Sequence, residues 1–161
     1  MNKKFELLLD DTIDVFGRKL FRIKAKINFG AVEAGELGGY IEKEDNLSVF
    51  GDALVFGDAW VFGDARVSGN AMVYGDAMVY GDAIISGDAI VTSQKDYIVF
   101  KNSWSSFRWF TYTKSNRMWN VGCFYGTGQE LIEKAYKDNE KSGKSYEAYV
   151  NLVLELEKLD D

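Results

Sequence analysis

The chain has no histidine in its 161 residues. That removes the imidazole general base and every metal site built on imidazole. Proline is absent as well, which suits a chain made mostly of hydrogen-bonded strands with a few helices. A single cysteine, Cys123, excludes an intrachain disulfide and a thiolate metal cage. It has no histidine to activate it and is expected on the buried side of a strand, so no nucleophile is expected there. No apolar run is long enough to span a membrane, and Met1 to Lys4 leads into a strand pattern rather than a signal-peptide core. A soluble, cytoplasmic protein of one domain, or one core with small appendages, is the expectation.

Charge is present but divided. The net charge of −6 combines an acidic middle with a basic stretch after it. Asp45, Asp52, Asp58, Asp64, Asp76, Asp82 and Asp88 face only Arg66, whereas Ser93 to Gly128 carries Lys95, Lys101, Arg108, Lys114 and Arg117 against Asp96. Aromatic residues crowd the basic part.

The middle is periodic. Seven units run Gly51-Asp-Ala-Leu-Val-Phe, Gly57-Asp-Ala-Trp-Val-Phe, Gly63-Asp-Ala-Arg-Val-Ser, Gly69-Asn-Ala-Met-Val-Tyr, Gly75-Asp-Ala-Met-Val-Tyr, Gly81-Asp-Ala-Ile-Ile-Ser and Gly87-Asp-Ala-Ile-Val-Thr, and a degenerate copy, Asp45-Asn-Leu-Ser-Val-Phe, precedes them. Within each unit the third and fifth residues repeat with period two, which buries Ala and Val/Ile on one strand face. Glycine followed by Asp or Asn supplies the corner, one tolerating positive φ and the other accepting from nearby amides. A short strand and a corner make one side of a triangular coil, so three hexads complete a turn and residues eighteen apart stack.

This stacking sorts the outward residues by face. One face carries Leu54/Phe56, Met72/Tyr74 and Ile90/Thr92, and a second sets Trp60/Phe62 against Met78/Tyr80. The third, Ser48/Phe50, Arg66/Ser68 and Ile84/Ser86, is mixed. Apolar columns on the outside of a prism mark an interface. Terminal segments folding back, or a homo-oligomer (dimer or trimer), would cover them, and a foreign protein is the sharper reading. The interface candidates are Trp60, Phe62, Met78, Tyr80, Phe56, Met72 and Tyr74. Asp58 below Asp76 and Asp64 below Asp82 invite a calcium reading, but the nine-residue calcium-roll motif is absent and Asn70 interrupts a column. Corner capping is preferred, and no metal site is assigned.

The repeat, with its lead-in Ala34-Gly-Glu-Leu-Gly-Gly-Tyr-Ile-Glu-Lys-Glu-Asp-Asn-Leu-Ser48, resembles the hexapeptide-repeat proteins common in bacteriophage and bacterial genomes, often labelled polymer-forming or transferase-like. The likeness covers about residues 19 to 92. It implies a left-handed parallel β-helix of about three coils and brings no established activity. The expected organisation is mainly β: an N-terminal β-hairpin cap (1–38), the β-helix (39–92) and a small C-terminal α+β module (93–161).

In the cap, Phe5 to Leu9 and Leu20 to Ile27 read as strands about Asp10-Asp11 and Gly17-Arg18 turns. In the module, Tyr97 to Phe100, Phe107 to Thr113 and Met118 to Tyr125 read as strands. Thr127 with Glu130 forms a capping box opening a helix with a Leu131, Ile132, Ala135, Tyr136 stripe. Gly143 is expected to separate it from a second helix over about Tyr146 to Leu159. Gly126 and Gly128 before a helix could hold an anion, although neither a P-loop nor a dinucleotide fingerprint is present. Trp104, Trp109, Tyr112 and Trp119, interleaved with Arg108, Lys114 and Arg117, could stack and pair with a nucleotide or nucleic acid, Arg108, Trp109, Arg117 and Trp119 foremost; the competing reading is that half of these aromatics pack under the helices.

Enzymes of the left-handed β-helix scaffold are acyltransferases with a histidine base or zinc carbonic anhydrases with three histidines, and this chain has none. No catalytic residue and no cofactor are therefore expected. A non-catalytic binding protein acting through protein–protein contact is the leading expectation. The resemblance, and no individual residue, adds that it is phage-encoded and inhibits a host defence system of the CRISPR type. Nucleotide or nucleic-acid binding by the module, an acyltransferase-like enzyme and a structural assembly protein are the alternatives.

Overall fold

The computed structural model describes residues 2–160, so Met1 and Asp161, the outermost residues of the two terminal segments, lie outside the described residues. The chain is mainly β, with several sheets and a C-terminal helical part. The repeat forms short parallel strands: β4 (Leu54–Val55), β5 (Trp60–Val61), β6 (Arg66–Val67), β7 (Met72–Val73), β8 (Met78–Val79), β9 (Ile84–Ile85) and β10 (Ile90–Val91). Leu54 pairs with Met72 and Met72 with Ile90, Trp60 pairs with Met78, and Arg66 pairs with Ile84, a constant step of eighteen residues. The alanines and Val/Ile of the third and fifth positions are buried in one continuous core. All seven corner glycines hold φ between +62° and +73°, a region that a side chain would make costly.

The degenerate copy leaves this register. Leu47, not Val49, is buried and bridges Val67, a step of twenty residues. The reason is local. Glu44–Asn46 forms a 3-10 turn, and buried Asn46 donates through Nδ2 to Gly63 O (3.1 Å) and Ala65 O (2.8 Å), doing with its side chain what a lower strand would do with its backbone. Ser48 therefore lies below Ser68, and Phe50 stands outside the stack, exposed.

At the N-terminal end, β1 (Phe5–Val15) and β2 (Arg18–Ala25) pair antiparallel, β2 pairs with β3 (Leu37–Ile41), and β3 pairs parallel with β5. The hairpin thus continues one ladder of the solenoid. Asp10-Asp11 is not a turn: β1 runs through it, with a bulge between Leu7 and Thr12. Asp11 there takes an ion pair from Arg22 Nε at 3.1 Å, and the Arg22 guanidinium lies over the Tyr40 ring at 4.3 Å. The lowest rung also needs donors for its downward carbonyls. Lys4, buried, gives Nζ to Ser48 O (2.9 Å) and Ala53 O (2.7 Å) and sits 4.4 Å above the Phe29 ring.

The other end is closed by a four-stranded antiparallel sheet, β11 (Tyr97–Lys101), β12 (Trp109–Thr113), β13 (Met118–Val121) and β14 (Phe124–Gly126), backed by α1 (Gly128–Asp138) and α2 (Glu140–Leu159). Its side chains saturate the last rung. Ile84 N–H donates to Thr111 Oγ1 (3.1 Å), Asn120 Nδ2 donates to Ile84 O (3.3 Å), Ile90 N–H donates to Ser115 Oγ (2.8 Å), and Tyr97 OH donates to Met78 O (2.8 Å). The expected single strand Met118 to Tyr125 is broken by a turn at Gly122 (φ +56°), which leaves Cys123 exposed rather than buried. The helices are divided at Asn139, which caps α2 by accepting from Ser142 N, and not at Gly143. Gly143 lies buried inside α2, where a Cβ would stand 2.3 Å from the Tyr136 ring. It is there for close packing.

Candidate functional site

The three outer faces of the solenoid are not equally open. On the first, Leu54 is buried under Ala25 and Phe29, with Val32, Phe56 and Met72 packed beside them. On the second, Phe62 is 5% exposed beneath Val15 and Leu20, with Ile13, Tyr40 and Trp60 around it. Both faces are apolar because the N-terminal segment folds against them. Of the residues expected at an interface, Phe62 is therefore committed internally, since removing it from water is what seats the hairpin. Trp60, Met78, Phe56, Met72 and Tyr74 are half-buried, and Tyr80 is exposed. Two ring stacks run along these columns, Phe56 on Tyr74 (4.6 Å between centroids) and Phe62 on Tyr80 (5.3 Å). An open groove of about 430 Å³ remains on the second face between Ile13, Tyr40, Trp60 and Met78, with Asp58 and Asp76 at its edge.

The third face has no such cover. A groove of about 530 Å³ runs past Val49, Phe50, Ser68 and Arg66. A second, of about 410 Å³, shares Asp45, Arg66 and Ile84 with it and continues to Phe107, Arg108, Trp109 and Gly122 of the module. The largest of these grooves, at about 530 Å³, thus lies on the face that looks least apolar in the sequence.

The loop between β11 and β12 overlooks this surface. Trp104 is 88% exposed and Phe107 is 66% exposed, an unusual presentation for two large rings. The loop is nonetheless tightly built around Asn102, whose side chain is fully buried. Asn102 Oδ1 accepts from Trp104 N (3.3 Å), Ser105 N (3.2 Å) and Tyr149 OH (3.3 Å), and Nδ2 donates to Ser105 Oγ (2.7 Å). Asn102 N–H donates to Arg108 O (2.9 Å) and Phe107 N–H to Asn102 O (2.8 Å), closing the loop at its base. Phe107 is held at φ +60°, which is costly for a non-glycine residue and persists only where the surroundings fix it. The sequence offers Trp104 only as one stacking ring among several and places Phe107 at the start of a strand that in the structure begins at Trp109, and nothing in it singles out Asn102. The signal available was Asn102-Ser-Trp-Ser-Ser-Phe, small polar residues spacing two rings between strands.

The remaining expected residues separate. Trp109 is exposed on the groove, and Arg108 lies along Gly122, where a Cβ would stand 3.4 Å from its Cδ. Trp119 is in the core at 1% exposure, edge-on to Phe110 at 6.1 Å, and offers no face to a base. Arg117 pairs with Glu157 at 3.0 Å, away from Trp109. Glu157 also accepts from Tyr112 OH (3.0 Å), whose phenol burial and that carboxylate together push up to about 12. Gly126 is buried, and the first turn of α1 is closed by Thr127 and Glu130, each accepting the other's amide. The first turn is thus already capped by a carboxylate and a hydroxyl, and the Thr127 amide, followed by the Thr127 hydroxyl, holds the Glu130 carboxyl below the usual range.

The corner aspartates act individually. Asp64 pairs with Lys43 at 2.9 Å, Asp52 accepts from Gly30 N (3.2 Å), and Asp88 accepts from Asn116 Nδ2 (3.2 Å). The Lys43 ammonium lowers the Asp64 carboxyl by hydrogen bonding and by charge. Among the described residues, no helix is long and apolar enough to cross a membrane.

The model of a family described as the YdcK β-solenoid repeat matches residues 65–81 and 73–87. The matched stretch lies wholly within the repeat, so the similarity speaks to the solenoid and not to either end. No curated protein sequence matches the chain.

Proposed function

We propose that the protein is a non-catalytic binding module that engages another protein through the Asn102–Arg108 loop and the open third face. The observation that carries this reading is an exposed Trp104 on a loop fixed by a fully buried asparagine. Binding gains where the loop that carries an aromatic anchor is already ordered, because little backbone entropy is lost on docking. The uncovered groove beside it, with Phe50 at one end and Phe107 and Trp109 at the other, adds apolar anchors about a charged middle. The lack of histidine supports a role without proton transfer.

The finer proposals follow the resemblance to phage and bacterial hexapeptide-repeat proteins. The solenoid is left-handed with about three coils, the chain acts in the host cytoplasm, and its target belongs to a host defence system. Self-association as a dimer or trimer would use Tyr80, Met78 and Trp60, the part of the second face that the hairpin leaves open.

Photo-crosslinking tests the reading. With p-benzoylphenylalanine at Trp104, irradiation in cells is expected to give one discrete adduct heavier than the chain. The same group at exposed Leu9, on the β1 bulge, gives none. Equal, diffuse crosslinking from both positions would reject the loop as a contact site.

A further inference from the structure

We propose that the groove between the third face and the module, which shares Phe107, Arg108 and Trp109 with the proposed protein-binding surface, also binds a mononucleotide, a planar base carrying a phosphate. Its volume of about 410 Å³ is within the range of small-ligand sites, roughly 300–1,000 Å³. Its two walls come from different parts of the chain. Arg66 stands on β6 and Lys43 just after β3, whereas Phe107, Arg108 and Trp109 come from the module. The site exists only when the module is seated on the last rung.

The lining supplies each chemistry that such a ligand needs. Phe107 and Trp109 are exposed rings on which a base can stack. Arg66 and Arg108 form no salt bridge among the described residues. A phosphate between them would take the planar, two-pronged hydrogen bonding that guanidinium offers. Asp45 and Asp82 likewise have no cationic partner among the described residues, and they can accept from ribose hydroxyls or exocyclic amines. Lys43 is engaged with Asp64.

The same carboxylates select against a polymer. A nucleic acid carries a charge at every residue and would have to pass the Asp64 and Asp82 corners and Asp45 on the 3-10 turn. A single phosphate need only reach the arginines. The geometry also accounts for one local feature: Phe107 is held at positive φ on the groove wall.

Isothermal titration calorimetry of the full chain with AMP, GMP, CMP and UMP tests this, with inorganic phosphate and a ten-residue oligothymidylate as further probes. At least one mononucleotide is expected to bind one-to-one and more tightly than phosphate. Arg108→Ala and Trp109→Ala should each weaken it about tenfold, and Arg66→Ala, on the opposite wall, should do the same. Trp104 does not line this groove, so Trp104→Ala should leave nucleotide binding unchanged while it abolishes protein binding, which keeps the two proposals distinguishable. Absence of binding by every mononucleotide, or phosphate binding as tightly as all of them, would overturn the proposal. So would tighter binding of the oligothymidylate, which would mark a nucleic-acid track instead.

Discussion

Lys4 sits where its charge and its hydrogen bonds pull in opposite directions. Burial pushes its ammonium from the ordinary 10.5 down to about 8, partly offset by Asp52, while Ser48 O and Ala53 O accept its protons. Its folded pKa lies below the unfolded one, so between pH 8 and 10 the folded chain binds fewer protons and stability rises with pH. The slope has an upper bound of one proton, about 1.4 kcal/mol per pH unit. Tyr97 and Tyr112, which burial raises to about 12, act in the opposite sense and only above their ordinary value of 10. Urea unfolding across pH 8 to 10 should show this rise in the natural chain and lose it in Lys4→Met. Equal slopes would show that Lys4 does not titrate there. Asn102 is the corresponding residue at the other end. Asn102→Ala leaves the amides of Trp104 and Ser105 and the Tyr149 hydroxyl without their acceptor, a loss of about 2 kcal/mol or more. Thermal unfolding would measure it, and an unchanged Tm would remove Asn102 from the account of the loop.

Among the elements, the last rung depends on side chains borrowed from the sheet above it. Thr111→Val keeps the shape of that residue but takes away the acceptor for Ile84 N–H. Faster hydrogen exchange at the Ile84 amide, with the Met72 amide (bonded to Ala89 O) unaffected, is the expected result. Uniform protection would mean that β9 is closed by packing alone. In the helices, Gly143→Ala drives a methyl group into the Tyr136 ring and should cost about 1–3 kcal/mol, read as a lower Tm with helix content retained. An unchanged Tm would show that the ring can move aside. These two elements also mark where the sequence was legible. The alternation of Ala and Val/Ile, repeated seven times, is a cooperative signal, and its rungs and columns could be read directly. The caps use single residues, Lys4, Asn46, Thr111 and Asn120, each satisfying a particular carbonyl or amide, and no periodicity announces them. The degenerate copy shifted because buried Leu47 and the Asn46 side chain outweigh the apparent alignment of Val49. Gly143 looked like a helix break because a breaker and a close-packing glycine look alike until the neighbouring ring is known.

For the molecule as a whole, the apolar columns that dominate the sequence turn out to be largely the seat of the N-terminal hairpin. What stays uncovered is the mixed third face with the loop above it, and the smaller opening at Trp60 and Met78 on the second. Outward Trp60 and Phe62 drew attention by composition, whereas Trp104 and Phe107 are exposed by tertiary placement that a period-six pattern does not encode. Phe62→Asp should accordingly destabilise the chain by about 2 kcal/mol or more, since it buries a charge under Val15 and Leu20. A stable, soluble variant of altered oligomeric state would instead return Phe62 to an intermolecular surface. The claim on which the functional reading turns is that the Asn102–Arg108 loop holds another protein. Native mass spectrometry of the protein isolated from the cells that express it tests this most directly. The account predicts an integer-stoichiometry complex of the 18.2 kDa chain with a second polypeptide, dissociated in Trp104→Ala. The natural chain appearing only alone or as multiples of its own mass, or a complex that survives Trp104→Ala unchanged, would contradict it.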